Sequence, residues 1–118
     1  RYLRGEIDLI YQAGEQFFVM DYKSNYLGNQ FASYDEPAMQ QAMNEHGYWL
    51  QAGIYQVALH RYLTLRLPNY DIHQHLGAVE YAFLRGMSPH YPKQGRLAWQ
   101  PGADFIQALD SVLGKAGL

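Results

Sequence analysis

Residues 17–28, FFVMDYKSNYLG, decide how the rest of the chain is read. Four apolar residues, Phe17 to Met20, run straight into an acid, an aromatic and a lysine. Aromatic and branched side chains of this kind favour a strand. Side chains alternate along a strand, so Asp21 and Lys23 project from one face, about 7 Å apart along the chain. Tyr22 points the other way but leaves its backbone carbonyl available as an oxygen ligand. Taken alone, an acid and a lysine two apart are most often a solvated edge face. The neighbours of this stretch therefore carry the decision.

Upstream, residues 4–11 alternate loosely, with Ile7, Leu9 and Tyr11 on one face and Glu6, Asp8 and Ile10 on the other. The segment QAGEQ then supplies a turn, Gly14 being able to take positive φ. Residues 4–23 thus predict an antiparallel β-hairpin that brings Asp8 within reach of Asp21. Two carboxylates and a carbonyl make the hard oxygen environment that Mg²⁺ or Mn²⁺ prefers. Such an ion polarises a phosphate and lowers the pKa of a bound water. A lysine beside it orients the water and balances charge in the transition state. The pattern points to metal-dependent phosphodiester hydrolysis. Asp8, Asp21 and the Tyr22 carbonyl are the expected metal ligands, and Lys23 the expected cation.

Downstream, SNYLGNQFASYDE is polar, contains Gly28 and predicts a long loop of the kind that often carries function. Pro37 suits a first helical turn, with Asp35 or Glu36 near the N-terminus, and Gly47 breaks that helix. A second helix is predicted from Tyr48 to Leu67, with Leu50, Ile54, Val57, Leu59 and Leu63 among its apolar positions and Pro68 ending it. LGAVEYAFLRG, residues 76–86, predicts a third strand, MSPHYPKQG a loop, and a closing helix follows from about Asp104 to Leu113. Its apolar stripe is Phe105, Ile106, Leu109, Val112 and Leu113. The order β-β-α-α-β-α predicts an α/β fold with a mixed central sheet flanked by helices, in a single domain over residues 1–118.

The composition narrows the class. With 48% hydrophobic and 17% charged residues the chain is globular rather than disordered. No apolar run approaches a membrane span. No secretory leader pattern is visible, and the absence of cysteine excludes thiolate metal sites and fits an intracellular, cytoplasmic protein. The formal charge of −2 is unusual for a stand-alone nucleic-acid binder, and the nine basic residues form no cluster. Another domain would then supply most of the grip on DNA. The five histidines suggest little: His73 and His75 would share a face if extended, but no third ligand sits at a convincing spacing. His60 reads as a helix-flank residue.

Four blocks, GEIDLI, VMDYKSNYLG, LQAGIYQVALHRYL and VEYAFLRGM, cover most of the chain. In that order they resemble the nuclease domains of the RecB family, the beta subunits of bacterial exodeoxyribonuclease V, within the wider PD-(D/E)XK superfamily. The resemblance implies a restriction-endonuclease-like core. It makes Asp8 the first acid of the signature, Asp21 and Lys23 its second acid and lysine, and Gln51 and Tyr55 the Gln-x-x-x-Tyr helix motif. Residues four apart share a helix face, so Gln51 and Tyr55 either face the site or DNA, or pack as a flank on the sheet.

The resemblance further implies a bacterial enzyme that degrades DNA ends during double-strand-break repair, with gamma and alpha subunits as partners. ATP would act only through a helicase portion, and no Gly-rich phosphate loop occurs here. The family's further metal ligand, a histidine on a helix upstream of the first strand, has no counterpart. The opening RYLRGEIDL, without an initiator Met and with little lead-in, suggests a domain truncated at its N-terminus. A second expectation is a catalytically inert nuclease-like fold that guides DNA or binds protein; a third is a free-standing exonuclease without a helicase.

Overall fold

In the computed structural model, which describes residues 7–118, Gly14 and Glu15 form a two-residue turn joining strands β1 (Leu9–Ala13) and β2 (Gln16–Lys23). The strands pair antiparallel from Leu9↔Met20 to Ala13↔Gln16. Gly14 takes φ 61° at the first central position while Glu15 does not, which is the pattern of a type II′ turn. The twist of such a turn matches that of the flanking strands, so the hairpin continues two residues past the predicted Tyr11. Ile7 and Asp8 precede the regular pairing, and residues 4–6 of the expected strand lie outside the described residues.

The sheet order is β1-β2-β3-β4. Strand β3 (Leu76–Phe83) lies parallel to β2, and β4 (Arg96–Trp99) antiparallel to β3. Parallel neighbours require a long crossover. It is made here by helices α1 (Glu36–His46), α2 (Tyr48–Arg66) and the single turn α3 (Ile72–His75). Seven of the eight β3 residues are buried, as a central strand requires, and Glu80 alone is half-buried. The sequence reading placed the end of β3 three residues too late: Leu84–Gly86 is a 3₁₀ turn. It also missed β4, whose four residues are too few to show a period.

Local chemistry explains the helix ends. Asp35 accepts a hydrogen bond from the Ala38 N–H at 3.0 Å and caps α1, with Pro37 in its first turn. Gly47 at φ 66° ends α1 in the left-handed region and lets α2 begin at once. Helix α2 buries residues on several sides because the sheet, α1 and the closing helix α4 (Ala103–Lys115) all pack on it. Gly53 allows the close approach of α4: a Cβ there would stand 3.0 Å from Leu109 Cδ2. Val19, Val79, Phe83, Leu59, Leu63 and Ile106 form the centre of the core. The stripe of α4 is narrower than predicted, since Phe105 and Val112 are exposed; Leu50 of α2 is exposed too. Among the described residues no helix is long and apolar enough to cross a membrane.

Candidate active site

Three of the residues singled out by sequence converge where β2 ends. Asp8 stands opposite Asp21 by extension of the hairpin register, and its Oδ2 accepts a hydrogen bond from the Tyr22 N–H at 2.8 Å. In an extended strand a residue's N–H and C=O point toward the same neighbour. The Tyr22 carbonyl therefore faces the Asp8 side, as an oxygen ligand would. That backbone hydrogen bond, followed by one shared with Asp21, holds the Asp8 carboxyl below the usual range.

Asp21 is the contrasting group. Only 4% exposed, it is pushed above the usual range by burial first, against the pull of Lys23 and with a further push from Asp8. Lys23 Nζ approaches Asp21 Oδ2 at 3.1 Å, a charge contact by distance. Its direction is poor for hydrogen bonding, so Oδ2 has no well-aligned donor among the described residues. A buried oxygen whose one cationic neighbour is poorly aligned, beside a second carboxylate, leaves a further cation a favourable place. The donor set is oxygen throughout, which fits a hard divalent ion. Among the described residues no three acidic or histidine side chains converge on one point.

Lys23 is itself held in place. Its ammonium donates to Gln51 Oε1 at 3.2 Å and lies over the Tyr48 ring, 4.0 Å from the centroid, and nearer the edge of reach of Tyr81 at 5.3 Å. The Tyr81 hydroxyl donates to the same Gln51 oxygen at 2.7 Å, and burial raises its pKa strongly, so it stays a donor. The Tyr48 and Tyr81 rings stack at 5.6 Å. Gln51 thus joins the cluster directly. Tyr55, one turn on, is 4% exposed and lies in the core within electrostatic reach of Tyr81.

A family model described as the PD-(D/E)XK nuclease superfamily matches residues 1–113. The chain belongs to this superfamily. Its mixed four-stranded sheet flanked by helices is the corresponding restriction-endonuclease-like fold. The chain is 42% identical over 110 residues to the RecBCD enzyme subunit RecB of Escherichia coli K12, covering 93% of itself and 9% of that protein. Against the subunit of the same name from Mycolicibacterium smegmatis it is 41% identical over 124 residues, 95% of this chain and 11% of the relative. Against that of Haemophilus influenzae Rd it is 40% identical over 110 residues. The chain spans about a tenth of the length of these relatives.

Two partners of Lys23 were not chosen from sequence: Tyr48 and Tyr81. A signal existed, because Tyr48, Gln51 and Tyr55 follow the three- and four-residue spacing of one helix face. Tyr81 needed the β2–β3 register, which pairs it with Asp21. The histidines do not reach the site as ligands. His73 and His75 lie on α3, where Asp71 caps His73 N–H at 2.8 Å and His75 Nδ1 accepts from Asp71 N–H at 2.9 Å. His60 Nδ1 is 2.7 Å from the Tyr70 hydroxyl.

Proposed function

We propose that this chain is the catalytic domain of a Mg²⁺-dependent deoxyribonuclease of the exodeoxyribonuclease V type, working within a helicase–nuclease. The observation that carries this reading is Asp21 Oδ2: buried, short of a donor, and set between a second carboxylate and a held lysine. Asp8, Asp21 and the Tyr22 carbonyl would hold Mg²⁺, with Mn²⁺ as a substitute. The ion supplies Lewis-acid polarisation of the phosphate and a more acidic bound water.

The chain's own groups do the remaining work. Lys23 orients the attacking water by hydrogen bonding and steadies the charge that develops on the phosphate oxygens. As the water oxygen bonds to phosphorus and gives a proton to solvent, the bond to the leaving sugar oxygen breaks, and that oxygen takes a proton from solvent. Gln51 and the two tyrosine rings fix the ammonium so that little reorganisation is needed during the reaction. Tyr55 supports that face of α2 from within the core. One core serves the described residues 7–118, which supports a single nuclease domain.

The similarity to a RecBCD enzyme subunit supports membership of a multi-subunit enzyme. We propose DNA as its substrate, gamma and alpha subunits as its partners, and double-strand-break repair and recombination in the bacterial cytoplasm as its setting. ATP would enter only through a helicase portion.

A second reading, an inert nuclease-like module that guides DNA or binds protein, is favoured by one observation: only two carboxylates converge among the described residues. The test is Mg²⁺-dependent degradation of linear DNA by wild type, Asp21→Ala and Lys23→Ala, each checked for folding. Metal-dependent activity that vanishes in both variants supports the nuclease. A folded, metal-supplied domain extended upstream that cleaves nothing supports the inert module.

A further inference from the structure

Strands β2 and β3 are parallel and end together, Lys23 being the register partner of Phe83. Ligands of open sheets with parallel strands bind beyond such carboxyl ends. Just past them lies a cleft of about 470 Å³ whose walls include Tyr26, Phe31, Tyr34 and Arg85. Tyr26 follows Lys23 by three residues, a span of at most about 11 Å, or about three stacked nucleotides at ~3.4 Å each.

The rim is aromatic and open. Tyr26 is 64% exposed, Phe31 56% and Tyr91 60%. Phe31 and Tyr91 meet edge to face at 5.2 Å, so the surface continues past the cleft to Lys93. Arg85 Nε donates to the Ser24 carbonyl at 2.8 Å, and its guanidinium lies 6.0 Å from the Tyr26 ring centre. One of its five N–H donors is used there, on an exposed side chain. Among the described residues no acid lines the cleft or the adjoining Tyr91 surface. In a chain of net charge −2 that is a local reversal of sign.

The loop that carries Phe31 is also held. Gln94 Nε2 donates to the Phe31 carbonyl at 2.8 Å, and the Leu27 N–H donates to the Tyr34 hydroxyl at 3.2 Å. Gly86 admits Tyr34, where any Cβ would stand 2.3 Å from the Tyr34 Cβ. A loop held this firmly presents its rings with little ordering left to do on binding. Exposed rings beside cations, held rigidly near a nuclease centre, have the chemistry of a stacking platform for unpaired bases.

We infer that the cleft between Tyr26, Phe31 and Arg85 binds unpaired nucleotides of a single DNA strand beside the reacting phosphate, bases on Tyr26, Phe31 and Tyr91 and backbone on Arg85. The choice of DNA as ligand rests on the nuclease reading above.

The test uses the 118-residue chain in EDTA, where no metal supports cleavage, and a fluorescent short oligothymidylate read by anisotropy. Tyr26→Ala and Phe31→Ala each weaken single-strand binding about tenfold. Phe31→Trp restores it, binding of a blunt duplex is unchanged, and an oligonucleotide with abasic sites shows no further loss in the alanine variants. The inference is overturned if wild type does not bind the single strand, or if the alanine variants bind it as tightly as wild type. It is equally overturned if these variants lose a protein partner while keeping oligonucleotide affinity.

A parallel Mg²⁺ cleavage assay separates the two readings. Cleavage by wild type with stacking variants of unchanged affinity removes the cleft and leaves the nuclease. Ring-dependent binding in a folded, metal-supplied domain extended upstream that never cleaves removes the nuclease and leaves the cleft.

Discussion

Lys23 Nζ donates to Gln51 Oε1 at 3.2 Å across 28 residues of sequence, tying the end of β2 to the first turns of α2. The same oxygen accepts from the Tyr81 hydroxyl, so one helical side chain orients a cation and a buried phenol together. Loss of Gln51 removes a partner from each, leaving Lys23 to Asp21 and the Tyr48 ring, and the Tyr81 hydroxyl to the Tyr48 carbonyl. Gln51→Ala is expected to lower kcat for DNA cleavage about 10- to 100-fold with KM little changed, as for other groups that act through a site residue. Steady-state kinetics on linear DNA checks this; a change confined to KM would mean Gln51 serves binding instead.

Asp21 is buried against its own charge, so its neutral form is the better fit when no metal is present. Its folded pKa lies above the ordinary 3.8, so its contribution to stability is present below that value and is lost as pH rises through the raised folded pKa. Asp8, held low, works in the opposite sense, its contribution present above its ordinary pKa. Asp21→Asn is therefore expected to stabilise the domain in EDTA at pH 7 by about 1 kcal/mol, or about 4 °C in Tm. Adding Mg²⁺ should raise the Tm of wild type and not of the variant. Thermal melts with and without the ion decide the matter, and a wild type more stable than the variant in EDTA would contradict it.

On the other side of the sheet the Tyr11 hydroxyl donates to Glu80 Oε1, which bridges β1 to β3 across β2. Burial first, then this hydrogen bond, pushes Tyr11 up to about 12. Its stabilisation is then fully present below pH 10 and lost as pH rises through about 12. Tyr11→Phe should cost about 1 kcal/mol at pH 7 in urea unfolding, and the difference should shrink toward that upper limit.

Gln56 is the buried polar residue that seats α2 on the sheet, donating to the Gly77 carbonyl at 2.8 Å. Truncation leaves that carbonyl without its partner and a void beside it. Gln56→Ala is expected to destabilise the fold by about 2–3 kcal/mol in urea unfolding while kcat, measured on folded protein, stays near wild type.

The hairpin, both long helices and the central third strand were legible because each has a local cause. Gly14 and Gly47 take the positive φ that only a turn or a helix end requires, Asp35 and Pro37 start a helix, and FFVM favours a strand, its Val19 and Met20 buried. The acids and lysine were legible for the same reason, since hairpin register and strand alternation place Asp8, Asp21 and Lys23 together without reference to the rest of the fold. Strand β4 was not, because RLAW becomes a strand only when β3 is there to pair with it.

The sequence by itself therefore determined that Asp8, Asp21 and Lys23 stand together, through pairing between near neighbours in the chain. Only the tertiary structure decided the state they are in. Burial of Asp21, the Gln51 and Tyr48 contacts to Lys23, and the rings of Tyr26 and Phe31 beyond the strand ends all depend on α2 and β3 packing beside β2. Desolvation and electrostatic neighbourhood are properties of what surrounds a group in space, and spacing along one strand cannot specify them.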